Sequence, residues 1–172
     1  MAPTWDGLRP TSDKLRETLF NILAPRIAGT RVLDLYAGTG AVGIEALSRG
    51  AASVTFVESD RRAQTLIAEN LLHCGVESGY AIIRASVARA IEQLDAAAFG
   101  PYELFDLVWL DPPYDEQPDA VLAAAGVLIA PGGLLVLEHA RRRPAPETAG
   151  RLVRVRQVTS GDSTLSFYEL TT

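Results

Sequence analysis

The chain has 172 residues, 48% of them hydrophobic and 22% charged, which suits one soluble globular domain with a proper core. A net charge of −5 excludes a general attraction to nucleic acid, so RNA or DNA binding must rest on a local basic patch. The lone cysteine, Cys74, excludes an internal disulfide and fits a reducing compartment.

The opening MAPTWDGLRP has no apolar signal core, and Gly126, Pro131, Gly132 and Gly133 break the longest apolar stretches short of a membrane span. A cytoplasmic enzyme is the expectation. Candidate basic patches are Arg9, Lys14 and Arg16, the run Arg141-Arg142-Arg143, and Arg151, Arg154 and Arg156. For the last group a solvated face is the better reading.

Residues 1 to 10 read as an irregular lead-in. Thr11 or Ser12 can cap a helix with Asp13 in its first turn, where the helix dipole favours an acid. Leu15, Leu19, Ile22 and Leu23 then share one helical face, and Pro25 follows the end. Val32 to Tyr36 reads as a buried strand leading into a glycine loop, and a helix follows through Ile44 to Leu47, ending near Gly50.

The unit repeats. Strands are predicted at Val54 to Val57, Ala81 to Ile83, Leu104 to Leu110 and Leu134 to Leu137. Helices fall between them, from about Asp60 to Leu72, Val87 to Leu94 and Ala120 to Leu128. This alternation indicates right-handed crossovers and a parallel sheet. Leu152 to Val158 and Leu165 to Leu170 break the rhythm as alternating strands joined at Ser160-Gly161-Asp162, a hairpin turn. The expected fold is α/β: a Rossmann-like, mostly parallel seven-stranded sheet with an antiparallel C-terminal hairpin, helices on both faces, and one domain over residues 1–172.

Gly38-Thr39-Gly40-Ala41-Val42-Gly43 satisfies G-x-G-x-x-G, and Glu58 lies about twenty residues beyond at the next strand's end. An adenosine cofactor would sit at the carboxyl end of the first strand, with Glu58 accepting its ribose hydroxyls. A nicotinamide dinucleotide competes for this reading. Asp34, four residues before the first glycine, argues against it, because an anion there would repel a pyrophosphate. S-adenosylmethionine has no phosphate and carries an ammonium and a sulfonium, so Asp34 favours it.

In Leu104 to Tyr114 an apolar strand stops at an acid, two prolines and an aromatic. Asp111 and Pro112 each precede a proline, which holds both extended, and neither proline has an N–H to close a local turn. Such a corner offers two acceptors, the Asp111 carboxylate and the Pro112 carbonyl, beside the flat face of Tyr114. A planar amine would pair with the two acceptors while its ring lies on the aromatic. The plain alternative is a strand terminator, since Asp-Pro commonly opens a turn. His73 and His139 stand alone without ligand-spaced partners and read as surface or packing residues; no metal is expected. Cys74 reads as inert.

With both motifs in hand, the chain resembles the class I methyltransferases, and more narrowly the RsmD-type bacterial 16S ribosomal RNA guanine-N2 methyltransferases. The resemblance rests on Arg9 to Asn21, Val32 to Gly50, Phe56-Val57-Glu58 and Asp111 to Tyr114, in family order. The first segment is specific to that family, whereas the others recur in amine methylators such as DNA adenine methyltransferases. It implies a cofactor bed of Asp34, Tyr36, Gly38 and Gly40, with Glu58 on the ribose and Ser86 and Val87 at the adenine. Thr11, Ser12 and Asp13 would approach the methionine end.

The same resemblance makes Asp111, Pro112 and Tyr114 catalytic, with Pro113 and Tyr114 against the target base. It implies S-adenosylmethionine as cofactor, S-adenosylhomocysteine as product, and 16S RNA in the small subunit or an assembly intermediate as partner, without membrane or metal. A monomer is expected. Two departures stand out: relatives usually carry Asp or Asn where this chain has Ser86, and they begin with a basic, strand-rich arm largely absent here. Rival readings are methylation of DNA adenine N6 or a protein glutamine amide, a nicotinamide-dependent reductase, and a non-catalytic binding domain.

Overall fold

A computed structural model describes residues 12–97, 104–113 and 115–171. The described strands form one eight-stranded sheet, in the order β3-β2-β1-β4-β5-β8-β7-β6. The five parallel strands are β1 (Arg31–Leu35), β2 (Ser53–Val57), β3 (Tyr80–Ile83), β4 (Phe105–Leu110) and β5 (Ile129–Ala140). The antiparallel edge is β6 (Thr148–Ala149), β7 (Leu152–Ser160) and β8 (Ser163–Leu170). The count of seven is corrected to eight by β6, a two-residue strand too short to leave an alternating signature.

Strand β1 is buried on both faces, which is why it reads as a nearly continuous apolar run. Its alternation feeds two cores. Val32, with Leu107 and Trp109 of β4 and Leu134 and Val136 of β5, faces α1 (Asp13–Leu23), α2 (Ala41–Ser48) and α3 (Arg61–His73). Leu33 and Leu35, with Val108, Leu110, Leu135 and Leu137, face α4 (Val87–Ala97) and α5 (Pro118–Ala125). Full burial of each large aliphatic contributes roughly 1.5–3 kcal/mol.

Helix α1 starts where the sequence places it: Ser12 is the cap, its hydroxyl accepting the Leu15 amide at 3.2 Å. Strand β5 is much longer than the predicted four residues. Positive φ at Gly132 accommodates an irregularity against β4, and pairing with β8 carries the strand on to Ala140. Among the described residues no helix is long and apolar enough to cross a membrane.

The sheet order makes β1 the switch point, with β2 on one side and β4 on the other. In open α/β sheets, ligands bind beyond the carboxyl ends of the strands flanking such a point. Leu35 pairs with Leu110, so Tyr36 and Asp111 leave the sheet side by side.

Candidate active site

The chain after β1 turns under tension. Tyr36 has φ of +60°, an unusual value for a bulky residue and one associated with functional sites. The turn is held by Ala37, whose amide donates to the Val57 carbonyl at 2.9 Å, and by the Gly40 amide donating to Ala37 at 2.8 Å. Gly40 caps α2 at φ +77°, a conformation glycine adopts at little cost. A side chain at Gly43 would overlap the Phe56 ring, so the third glycine of the motif is what lets α2 lie close on β2.

Glu58 is the hinge of the loop. One carboxylate oxygen accepts the Gly38 amide at 2.9 Å and the other the Asp60 amide at 2.8 Å. Each oxygen keeps a further lone pair for a ligand hydroxyl. Two residues of α3 that sequence reasoning missed complete the support. The Gln64 side-chain amide donates to the Glu58 carbonyl at 2.8 Å, and that of Asn70 to the Thr39 carbonyl at 3.0 Å. Both are buried among Ala63, Leu66, Ile67 and Leu71. An amide on the apolar stripe of a helix was the available signal.

Asp34 lies inside β1 and is 1% exposed. One of its oxygens accepts the Gly43 amide at 3.0 Å, so it caps α2 from the strand, a task the glycine cap cannot do with a side chain. Its other oxygen is buried and, among the described residues, has no hydrogen-bond partner. Burial raises the Asp34 pKa to about 8, against a lowering by the Gly43 amide and with a further rise from the Glu58 charge. A cation beside the orphan oxygen would restore the ionised form.

A cavity of about 180 Å³ opens at the carboxyl ends of β1 and β2, bordered by Tyr36, Glu58, Ser86, Val87 and Glu116. Four of the predicted cofactor residues therefore meet in one place. The Ser86 hydroxyl accepts the Arg89 amide at 3.4 Å, and Val87 is buried. Gly38 and Asp34 join the site through Glu58 and the α2 cap. Ser12 and Asp13 border neither this cavity nor the one described next; among the described residues their side chains bond at the start of α1, where Ser12 accepts the Leu15 amide and Asp13 pairs with Arg16 at 2.8 Å. Thr11 lies outside the described residues, as does Tyr114.

Asp111 and Pro112 emerge half-buried from β4, and Pro113 is exposed. The Pro113 carbonyl accepts the Glu116 amide at 3.0 Å, which folds the chain back after the corner. The Tyr36 hydroxyl donates to the Glu116 carboxylate at 3.0 Å and thereby ties the corner to the glycine loop. Burial and that neighbouring acid push the Tyr36 pKa upward, so its hydroxyl stays protonated.

Glu116 also borders a second cavity, of about 330 Å³, with Pro112, Pro113, Glu138, His139 and Arg142. His139 is buried rather than at the surface: Nδ1 lies 2.8 Å from the Arg143 carbonyl and Nε2 2.8 Å from the Ser166 hydroxyl. Glu116, Glu138 and His139 carry no motif and were invisible in the sequence as site residues. Cys74 and His73 are exposed, at the far end of α3. Among the described residues no cluster of three or more His, Cys, Asp or Glu could hold a metal.

Residues 1–169 match the family described as Conserved hypothetical protein 95. A Bacillus subtilis protein, YlbH, provisionally named an rRNA methyltransferase, is 37% identical over 164 residues, covering 94% of this chain and 87% of its own. Ribosomal RNA small subunit methyltransferase D of Haemophilus influenzae is 38% identical over 145 residues, covering 81% of this chain and 72% of its own. The solved structure of a hypothetical protein from Thermus thermophilus superposes with a TM-score of 0.79 at 31% identity, over 97% of this chain and 90% of that one.

Proposed function

This chain belongs to the Conserved hypothetical protein 95 family, and we propose that it is an S-adenosylmethionine-dependent rRNA methyltransferase acting on the exocyclic N2 amine of a guanine in 16S RNA. The observation that carries this reading is the pairing of Leu35 with Leu110, which brings the glycine loop and the Asp111-Pro112-Pro113 corner out of the sheet as neighbours. Relatives named for small-subunit RNA methylation support the substrate class. The guanine amine is our own assignment.

The residues present fit S-adenosylmethionine. The orphan oxygen of Asp34 suits a cationic methionine end, and would oppose a pyrophosphate. Glu58 would take the ribose hydroxyls, and Ser86 and Val87 would flank the adenine. Tyr36, Gly38 and Gly40 shape the bed between them. Bound there, the cofactor supplies an electrophilic methyl carbon on a positively charged sulfur.

The protein's part is to make a poor nucleophile better. A guanine amine delocalises its lone pair into the ring. Asp111 and the Pro112 carbonyl would accept hydrogen bonds from its two N–H groups, which returns electron density to nitrogen, and Pro113 and Tyr114 would hold the base. Beside the nitrogen, the Asp111 carboxylate would stabilise the positive charge that methylation develops there and would take up the proton the amine releases. Holding the two reactants in line supplies much of the remaining acceleration. The base must be unstacked to enter. We assign the activity to the cytoplasm, to a monomer and to metal-free chemistry, with the small subunit or its assembly intermediate as substrate.

Mass spectrometry of 16S RNA nucleosides from cells lacking the protein tests this. N2-methylguanosine should fall by one residue per RNA and return with the restored gene. An unchanged count, or a transferred methyl label appearing in DNA or protein instead, overturns the assignment.

A further inference from the structure

The second cavity brings both signs of charge to the proline corner: Glu116 and Glu138 border it together with Arg142 and Arg143. Carboxylates suit the N–H donors on a base edge, and guanidinium groups suit phosphate oxygens. We propose that the segment Ala140–Pro144 is a phosphate clamp for single-stranded RNA, in which Arg142, with Arg141 beside it, grips the backbone next to the base held at the corner. This rests on the RNA-methylating reading above and adds where the RNA is held.

Three observations carry it. The first is position: Pro112 and Pro113 of the corner and Arg142 border one and the same cavity. The second is availability. Arg141 and Arg142 are exposed, and among the described residues neither guanidinium has an ion-pair partner. Other arginines are committed: Arg154 donates to the Ala145 carbonyl at 2.7 Å and lies 3.6 Å from Glu147, and Arg156 covers the Phe167 ring at 5.9 Å.

The third is preorganisation. The Arg143 amide donates to the Ala140 carbonyl at 2.9 Å, and the Arg141 amide to Asp162 of the hairpin turn at 2.8 Å. Nδ1 of His139 faces the Arg143 carbonyl, an acceptor only, so it carries the proton; Nε2 then accepts from the Ser166 hydroxyl, which itself accepts from Gln157 at 3.0 Å. The Tyr168 hydroxyl closes the segment on the Pro146 carbonyl at 2.7 Å. A loop ordered before binding loses little entropy when it binds. With a chain charge of −5, a local clamp is also what an RNA ligand needs.

The test is equilibrium binding of a 16S RNA transcript to the full chain across a range of potassium chloride concentrations, with Arg142→Ala, Arg142→Lys and Arg141→Ala/Arg142→Ala. Each lost phosphate contact should lower the slope of log affinity against log salt by about 0.7. The double variant should bind roughly ten-fold more weakly at low salt, Arg142→Lys should keep most of the slope, and S-adenosylhomocysteine affinity should be unchanged. A slope equal to that of the unsubstituted protein overturns the clamp, and so does weaker binding with an unaltered slope. Methyl transfer by the unsubstituted protein is read separately: its failure removes the activity, whereas an unaltered slope in an active enzyme removes only the clamp.

Discussion

Asp34 reaches from the middle of β1 to the Gly43 amide at the start of α2, 3.0 Å away, and leaves its second oxygen buried without a partner. The arrangement locks helix to strand and costs stability. With the folded pKa raised to about 8, the unfolded chain loses its proton near the usual carboxylate value while the folded chain keeps it. Asp34's contribution to stability is therefore fully present at low pH and is lost as pH rises to about 8. Asp34→Asn keeps an acceptor for Gly43 and removes the charge. The ligand-free variant should be more stable than the parent at pH 8, on the order of a few kcal/mol, with the gain vanishing near pH 4. Its S-adenosylhomocysteine affinity should fall. Urea melts at several pH values and calorimetry check both; equal pH profiles would refute the buried-charge account.

Gly43 answers Asp34 from the helix side, and it has no room for a methyl group against Phe56 and Val54. Gly43→Ala should push α2 off β2, at a cost of about 1–3 kcal/mol from overpacking. The same shift carries the amide away from Asp34 and disturbs the loop that presents Gly38 to Glu58. Denaturant unfolding and cofactor titration should therefore both register the change. A variant of parental stability would mean that the strand and helix slide apart easily.

Much of this was legible in the sequence, and the reasons differ by element. Parallel strands buried on both faces announce themselves as apolar runs, and Gly40 and Gly43 mark a turn and a close approach that few other residues tolerate. Glu58 was legible because its distance from the glycines is set by one helix and one strand. The supports were not. Gln64, Asn70 and Glu116 act through single hydrogen bonds to backbone or to Tyr36, and a lone polar residue carries no period. Asp34 was read as facing the cofactor alone; its bond to Gly43 depends on the three-dimensional approach of α2.

His139 gives the C-terminal side its own pH dependence. Burial lowers its pKa despite the nearby Ala140 and Arg143 carbonyls, and Arg154 adds to the lowering. The unfolded state thus binds a proton at a pH where the folded state does not, so stability is full above the usual histidine value and is lost as pH falls through the lower folded value. His139→Gln should flatten the stability profile below pH 6.5 and loosen the Ala140–Pro144 segment. Hydrogen exchange at the Arg143 amide, which donates to Ala140, reads that loosening directly. Equal exchange in parent and variant would show that the imidazole does not order the loop.

Asp111→Ala isolates the corner from the cofactor bed. The residue follows β4 directly, whereas Glu58 follows β2 and the Asp34 cap lies in β1, so truncation should leave cofactor affinity within about two-fold while removing one of the two acceptors for the amine. Loss of one well-placed electrostatic partner of the transition state is worth roughly 10²–10³ in rate; taking up the amine's proton adds to that, so methyl transfer should become undetectable. Asp111→Asn retains an acceptor oxygen without the charge and should keep a small residue of activity. Single-turnover assays with radiolabelled cofactor and 16S RNA separate the two variants. Full activity in the alanine variant would place the amine elsewhere, and a collapse of cofactor binding would mean that Asp111 belongs to the bed.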